Sequence, residues 1–441
     1  MTQPEQYPQQ RTDRFRLQAQ AVQMQEEGIR VPDDFGTAAW LMPQEQSANA
    51  PKMRWGLTGA EWLLLAGVTL LFVGMAITIA QGTGLVDSGR MALIALVPLI
   101  AVAAVLMWLG RWAPLLWRYR ILGILWGGGA AVAVAVVVNS ALFKDLLYYT
   151  GDPFYSELVT SVVVAPLSEE LAKGLGTLFI LVVARDRVSS VLTGAVLGGL
   201  VGAGFAFVEN IQYFASAMSE SSAALGITVF MRGVLSPFVH SMASSLLGML
   251  IAFAILRGGK AWAWTWRLVV GYILAVLIHA MWNGFASLGV IWLLLYVLVE
   301  MPLFVGWLVG LILVKNRQLR RIYEGLSAYV GARWLSEGEA RMVSYPPARR
   351  YASKWARSVG SPAPKRLRQF LSNGGHLGLD QVTMVNGVPT EGRIDMDRQY
   401  LQEMIQLRQE FAVLEAAHKA TNTQRRGSHR SRNSQGPGAR Q

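Results

Sequence analysis

The chain has 441 residues, 53% of them hydrophobic, and a mean hydropathy of +0.34, which excludes an ordinary soluble protein and favours a membrane class. Much of its formal net charge of +12 lies in the tails and in short loops beside apolar runs, which suits an anionic membrane surface rather than nucleic acid. The sequence contains no Cys, so disulfides, thiolate zinc sites and cysteine nucleophiles are excluded together.

The N-terminal segment, residues 1–56, is polar and begins MTQPEQYPQQRTDRF. It lacks the apolar core of a secretory signal peptide, so membrane insertion is expected to depend on later segments. Its composition predicts a mainly disordered cytoplasmic tail. A short helix in the second half of EQYPQQRTDRFRLQAQAVQMQEEG is the alternative for that stretch.

Eight apolar stretches are long enough to cross a hydrocarbon core of roughly 30 Å, which takes about 20 helical residues. They lie near residues 60–81, 91–110, 121–143, 158–184, 191–214, 233–256, 267–287 and 290–314. The last two are joined by only a few residues, so one long hairpin is the alternative there. The sequence thus predicts an all-α, polytopic membrane bundle of about eight transmembrane helices, with residues 57–314 as its core.

Positive residues recur in every second connection between the spans, and such connections face the cytoplasm. They are Arg111, Arg118 and Arg120, then Arg185 and Arg187, then Arg257, Lys260 and Arg267. Lys52 and Arg54 before the first span, with Lys315 and Arg317 after the last, place both tails on the same side. The prediction is a multi-pass cell-membrane protein with both termini cytoplasmic.

The fourth span contains charged residues in the segment APLSEELAKG. Charge inside a membrane is rare because each such residue costs at least a few kcal/mol at the bilayer centre. Glu169 and Lys173 share a helix face at a spacing of four, while Glu170 points elsewhere. Pro166 removes a backbone donor just before the pair and is expected to kink the helix. An ion pair that only fixes packing is the structural alternative.

The fifth span ends in GAGFAFVENIQYF, which places Glu209 behind a run of small residues. Gly198 and Gly202 in that run are expected to allow close contact with a neighbouring helix. For Glu209 the alternative to a functional role is packing or polar anchoring. The connection after this span, residues 215–232, is predicted to be a long loop above the site, either a gate for substrate or a plain connector.

The sixth and seventh spans each carry a histidine with a polar partner one helical turn later. His240 precedes Ser244, and His279 precedes Asn283. A lone membrane histidine is often only a donor between helices, but two of five histidines beside the acidic spans favour a shared site. In the eighth span Glu300 matches no motif, and a structural role is favoured for it.

Residues 315–441 form a basic tail that is predicted to be cytoplasmic. Its first part, RQLRRIYEGLSAYVGARWL, is amphipathic and lies either on the inner membrane surface or in solvent. Helical periodicity returns over residues 395–418, and the ending RRGSHRSRNSQGPGARQ is predicted to be disordered.

The candidate residues fall at similar depths, since each helical residue advances by roughly 1.5 Å. Counted from the outer ends of their spans, Glu169 lies about 12 residues deep, Glu209 about 5, His240 about 7 and His279 about 9. Convergence in the outer half of the bilayer is expected. Hydrolysis needs a carboxylate to deprotonate water, an imidazole or metal to hold it, and an amide to stabilise an oxyanion. Two histidines and a carboxylate would also suit a zinc site with an open position.

The segments EELAK, FAFVEN, PFVHSMAS and HAMWN together resemble the PrsW-type intramembrane protease family, a branch of the group that contains the CAAX-processing proteases. The resemblance covers about residues 160–285. It implies that Glu169 is the water-activating base with Glu170 as its partner, and that Asn283 is the oxyanion donor. Glu209, His240 and His279 would hold the water or a zinc ion. The prenyl proteases have a histidine where Glu209 stands, so the ligand set and the presence of a metal stay open.

The family resemblance implies an intramembrane endopeptidase whose substrate is a single-span membrane protein, an anti-sigma factor being one candidate. Membrane lipids are the other expected partner. HExxH and Gly-x-Ser-x-Gly motifs are absent from the sequence. Two other classes stay open: a proton-coupled transporter or channel, since membrane carboxylates and histidines also form proton relays, and a membrane scaffold whose basic tail recruits partners.

Overall fold

The computed structural model describes residues 59–113, 115–257, 261–385 and 391–434. Within these ranges the chain is helical and contains no strand, which confirms the predicted all-α class. The predicted N-terminal tail, residues 1–56, lies outside the described residues. The chain divides into two compact units, of which one runs from Arg54 to Gln318 and the other includes the segment from Leu319 onward.

The first unit is built from helices that are interrupted by short π-helical turns. Its helices are α1 (Gly59–Thr83), α2 (Leu85–Leu109), α3 (Trp117–Trp126), α4 (Val132–Thr150), α5 (Pro153–Val159), α6 (Ala165–Val183), α7 (Val191–Glu220), α8 (Ser222–Phe230), α9 (Val239–Arg257), α10 (Ala261–Ala286), α11 (Ile291–Leu295) and α12 (Met301–Gly331). The π-helical turns are Gly127–Ala131, Thr160–Val164, Met231–Leu235 and Tyr296–Glu300.

Seven helical segments of the described chain are long and apolar enough to cross a membrane. They are Trp62–Thr83, Leu85–Leu109, Trp117–Thr150, Val191–Glu220, Ser222–Arg257, Trp264–Ala286 and Ile291–Gly331. These segments overlap seven of the eight predicted spans and confirm a polytopic helical bundle. The remaining predicted span, residues 158–184, is helical as well, but three charged side chains make it more polar than the other seven.

The charged helix α6 begins where the sequence predicts a break. Pro166 lies at its first turn, and the chain makes the π-helical turn Thr160–Val164 just before it. Since proline has no N–H to donate, the regular α-helical ladder cannot run unchanged through this point. The helix that follows therefore starts about one turn before Glu169.

The connection between the fifth and sixth predicted spans is helical, so the prediction of a long loop over residues 215–232 is wrong. Helix α7 continues to Glu220 and α8 begins at Ser222, with Ser221 alone between them. Ser221 has an extended backbone, and its hydroxyl oxygen accepts a hydrogen bond from the Ala224 N–H at 3.0 Å. Ser221 therefore caps a new helix. A segment rich in serine and small residues is compatible with such a cap as well as with a loop.

Helices α7 and α9 approach each other closely along a row of glycines, as the sequence predicts. A Cβ atom at Gly198 would lie 2.1 Å from the Ser244 carbonyl oxygen, and one at Gly202 would lie 2.3 Å from the carbonyl oxygen of His240. Both distances are shorter than any real contact of a Cβ atom. The absence of a side chain at these positions therefore sets how near His240 is held to α7.

We expect Gly202→Ala to destabilise the bundle by about 1–3 kcal/mol, because backbone atoms of α9 would have to move to admit the methyl group. Gly67→Ala in α1 is the matched control, since a Cβ atom there would meet no atom within 4 Å. Thermal unfolding in detergent measures the difference. Equal midpoints for the two variants would show that the α7–α9 contact is looser than described.

The second unit contains the end of α12 and four further helices, α13 (Glu337–Ser344), α14 (Pro346–Val359), α15 (Ala363–Val385) and α16 (Glu391–Ser434). Helix α13 starts with a capping box in which Ser336 and Glu339 exchange hydrogen bonds. Arg408 from α16 donates to Glu339 at 2.7 Å and so ties the last helix to this cap.

Two predicted features of the tail belong to longer helices in the structure. The amphipathic segment up to Leu335 is largely the continuation of α12, which ends at Gly331. The helical periodicity expected over residues 395–418 belongs to α16, which continues to Ser434 and so covers part of the ending predicted to be disordered. The sequence has no proline between residues 391 and 434 that would stop this helix earlier.

Candidate active site

Four helices of the first unit bring their ionisable side chains to one place in its interior. We call Glu169, Glu170, Lys173, Glu209, His240 and His279 the acid–histidine cluster. Helix α6 supplies the first three, α7 supplies Glu209, α9 supplies His240 and α10 supplies His279. Apart from Glu209, which is about one-eighth exposed, each of these side chains is buried. The structure thus brings together residues from four separate stretches of the sequence.

Glu170 is the most firmly held carboxylate of the cluster. Its Oε1 lies 2.6 Å from Lys173 Nζ and 2.9 Å from His279 Nδ1, while its Oε2 accepts from Ser244 Oγ at 3.4 Å. The sequence predicted that Lys173 pairs with Glu169, but Glu169 Oε2 is 3.8 Å from Lys173 Nζ. Residues three apart also share a helix face, and the closer ion pair, Lys173 with Glu170, has this spacing.

The two carboxylate oxygens of Glu169 differ in their hydrogen bonding. Its Oε1 accepts from Asn139 Nδ2 at 3.2 Å, and Asn139 Oδ1 in turn accepts from Ser168 Oγ at 2.6 Å. Its Oε2 is buried and has no hydrogen-bond partner among the described residues. That oxygen faces His279 Nε2 at 3.8 Å. A buried carboxylate oxygen without a donor is costly, so it marks a place where a further atom is expected to bind.

Asn139 was missed by the sequence analysis. It lies in the predicted third span, near its end, and an amide inside an otherwise apolar run was the signal available. Its partner Glu169 is on a different helix, so no local spacing relates the two residues.

His240 is held between an acid and a cation. Its Nε2 lies 2.8 Å from Glu209 Oε2, and its Nδ1 lies 3.1 Å from Lys173 Nζ. The rings of His240 and His279 meet edge to face with centroids 4.8 Å apart. Glu209 Oε2 also accepts from Arg232, which lies in the π-helical turn before α9.

Lys173 occupies the middle of the cluster. Its ammonium group contacts Glu170 and His240, and it lies 4.1 Å from the ring centroid of Phe205. The sequence analysis treated this lysine only as a local counter-ion for Glu169. Its position between an acid and an imidazole from another helix requires the tertiary structure, because two of its contacts come from α7 and α9.

Two other candidates lie outside the cluster's hydrogen bonds. The Asn283 amide donates to the Ser161 carbonyl oxygen at 2.7 Å and so ties α10 to the π-helical turn before α6. Glu300 is buried in the turn Tyr296–Glu300, beside a small pocket lined with Met242 and Trp282. Neither carboxylate oxygen of Glu300 has a hydrogen-bond partner among the described residues.

Glu209 and His240 lie deeper in their helices than the sequence predicted. Helix α7 continues from Glu209 to Glu220, which is farther than the about 5 residues expected. Likewise His240 belongs to an apolar segment that begins at Ser222 rather than near residue 233. The longer helices move these side chains toward the middle of the membrane-spanning segments.

The cluster has the donor set of a metal site. Glu169, His240 and His279 each offer one ligand atom, and the three atoms lie within 4.8 Å of one another. Glu209, which the sequence analysis placed among the ligands, instead bonds to the Nε2 of His240. Each imidazole has one nitrogen on a carboxylate, a support that metal-binding histidines commonly have. The unpartnered Oε2 of Glu169 completes a set that fits a zinc-like ion.

Residues 116–307 match the protein family described as PrsW family intramembrane metalloprotease. The matched region contains every residue of the acid–histidine cluster, and it confirms the resemblance that the sequence motifs predicted. No curated protein and no solved structure matches the chain.

Proposed function

We propose that the acid–histidine cluster hydrolyses a peptide bond of a membrane protein, because residues 116–307 match the PrsW family of intramembrane metalloproteases. The observation that carries this proposal is the free Oε2 of Glu169, which is buried and faces His279 Nε2 at 3.8 Å. A water molecule in that position would have a carboxylate to take its proton and an imidazole to orient it.

Glu169, Glu170 and Asn283 then have defined tasks. Glu169 takes a proton from the attacking water, and its second oxygen is kept in place by Asn139. Glu170 fixes the ring of His279 through Nδ1, so that Nε2 faces Glu169. The amide of Asn283 has a second N–H beside the one given to Ser161, and we assign that N–H to the carbonyl oxygen of the substrate.

Zinc is the metal we propose for this site, with Glu169, His240 and His279 as ligands, and Glu169 would then hold the ion instead of acting as a separate base. Such an ion would lower the pKa of a bound water and polarise a carbonyl group. The ammonium of Lys173 lies 3.1 Å from His240 Nδ1, the nitrogen that would face the ion. Two cations repel at that separation, so the ammonium of Lys173 would have to move away from His240 Nδ1 for a metal to bind there.

The substrate class follows from the location of the site. A cluster buried among membrane-spanning helices is reached by a substrate that is itself in the membrane, and we propose a single-span membrane protein, for which an anti-sigma factor is one candidate. Cutting requires local unwinding, because a helical peptide bond is shielded by its own hydrogen bonds. Comparing membrane-protein fragments in cells that contain the intact protein or the Glu169→Gln variant identifies the substrate and tests the proposal. Identical fragment sets would contradict it.

We propose that both termini are cytoplasmic, because Arg185 and Arg187 follow α6 and Arg257 ends α9, on the side that the positive-inside rule assigns to the cytoplasm. The cut is then expected between the bilayer midplane and the outer surface. Mass spectrometry of the new termini of a trapped substrate measures this. A cut in the cytoplasmic juxtamembrane region of the substrate would mean that the topology or the assigned residues are wrong.

A further inference from the structure

Arg232 contacts three residues of one helix, although it lies in the π-helical turn between α8 and α9. Its Nη2 donates to Glu209 Oε2, its Nε donates to Asn210 Oδ1 at 2.8 Å, and its guanidinium carbon lies 3.9 Å from the ring centroid of Tyr213. These partners follow one another on α7 within about one helical turn. A planar guanidinium held by two hydrogen bonds and a ring face has little freedom to turn.

One oxygen atom of Glu209 contacts both Arg232 and His240. Glu209 Oε2 accepts from Arg232 and also lies 2.8 Å from His240 Nε2. An ionised carboxylate can only accept, so the proton between these atoms belongs to Nε2 of His240. The other nitrogen, Nδ1, then carries a lone pair, and it faces Lys173 Nζ at 3.1 Å. The contact with Glu209 therefore selects one tautomer of His240.

We propose that Arg232 is a positioning residue that fixes the orientation and tautomer of His240 through Glu209. The proposal rests on the proposed function for its effect on activity, but its effect on His240 stands apart from any catalysis. No local sequence spacing relates Arg232 to Glu209, because the two residues are 23 positions apart in the chain.

Steady-state cleavage by the full chain in lipid nanodiscs gives the first test. We expect Arg232→Gln to lower kcat by about 10- to 100-fold with little change in KM, the range seen when the carboxylate support of a functional histidine is lost. Arg232→Lys should recover part of the loss, since it keeps the charge but not the fork of donors. Arg90→Gln is the control, because Arg90 is exposed and pairs with Asp87 at 3.1 Å.

A double variant shows whether Arg232 acts through Glu209. Once Glu209→Gln has removed the carboxylate, adding Arg232→Gln should lower kcat no further. This double variant also avoids an unpaired buried charge, so it covers the case in which Arg232→Gln alone fails to fold. Losses that multiply in the double variant would show that Arg232 acts by another route and would overturn the proposal.

Nitrogen NMR of the full chain with labelled histidine reads the tautomer directly. The chain has five histidines, and the signal lost in His240→Gln identifies His240. We expect Nε2–H in the parent protein and a mixture of tautomers in Arg232→Gln or the double variant. An unchanged tautomer in folded variants would overturn the proposal. A changed tautomer in a protein without protease activity would support it while contradicting the proposed function, so the two failures are distinguishable.

Discussion

Glu169→Gln and Glu170→Gln are each expected to lower the rate of proteolysis by about 10²- to 10⁴-fold, because an amide keeps the shape of the side chain but cannot accept a proton. The two losses have different origins. Glu169 faces the free space beside His279, whereas Glu170 bonds to Lys173 and His279 with one oxygen. The first variant loses the carboxylate that would activate water or hold a metal, and the second loses the group that orients the imidazole.

Glu169→Gln and Glu170→Gln are also expected to differ in the free energy of unfolding. Glu170→Gln leaves the ammonium of Lys173 buried without its 2.6 Å partner, and breaking a buried ion pair from one side typically costs about 3–5 kcal/mol. Glu169→Gln replaces a buried carboxylate that has one unsatisfied oxygen, so the bundle should be no less stable than the parent. Cleavage assays and thermal unfolding in detergent measure both effects.

Glu157→Gln is the matched control, since Glu157 is an exposed carboxylate on α5, in the same stretch of chain. It should leave both the rate and the midpoint unchanged. Full activity in both cluster variants would end the proposal that a glutamate activates water. A large loss of stability in Glu169→Gln would instead show that Glu169 has a partner we have not identified.

The transmembrane segments could be predicted because an apolar run of span length is a signal within the sequence itself. The span that contains α6 is the exception. The stretch that contains α6 has three charged residues, so hydropathy ranks it below the other seven, yet those charges are what made it a candidate for the functional site. The loop predicted over residues 215–232 was wrong because serine and small residues occur equally in loops and at helix caps, and Ser221 is a cap.

The members of the site could be predicted, but their pairing could not. Glu169, Glu170, Glu209, His240 and His279 are recognisable because ionisable residues are rare in membrane spans. Which oxygen meets which nitrogen depends on the depth and rotation of four helices, and no sequence spacing fixes those. Lys173 therefore bonds to Glu170 rather than mainly to Glu169, and the contacts of Asn139 and Arg232 were unforeseen.

Removal of divalent metal is expected to abolish cleavage, and zinc at one ion per chain is expected to restore it. The physical basis is the arrangement of donors around the free Oε2 of Glu169. His279 Nε2 and His240 Nδ1 are the ring nitrogens that do not bond to a carboxylate. His279 Nε2 lies 3.8 Å from Glu169 Oε2. Oxygen and nitrogen donors of this kind suit zinc, and carboxylates on the opposite nitrogens raise the basicity of the rings.

Substituting a metal ligand is expected to have a larger effect than substituting a carboxylate that hydrogen-bonds to a ligand. His279→Gln and His240→Gln should remove stoichiometric zinc, whereas Glu170→Gln and Glu209→Gln should weaken its affinity by about 10- to 100-fold. His418→Gln in α16 is the control and should retain the metal. Elemental analysis of purified protein and titration with a competing chelator give the stoichiometry and affinity. Chelator-treated protein that is metal-free and fully active would decide for a mechanism of Glu and His alone, in which the ammonium of Lys173, 2.6 Å from Glu170, is the cation of the site.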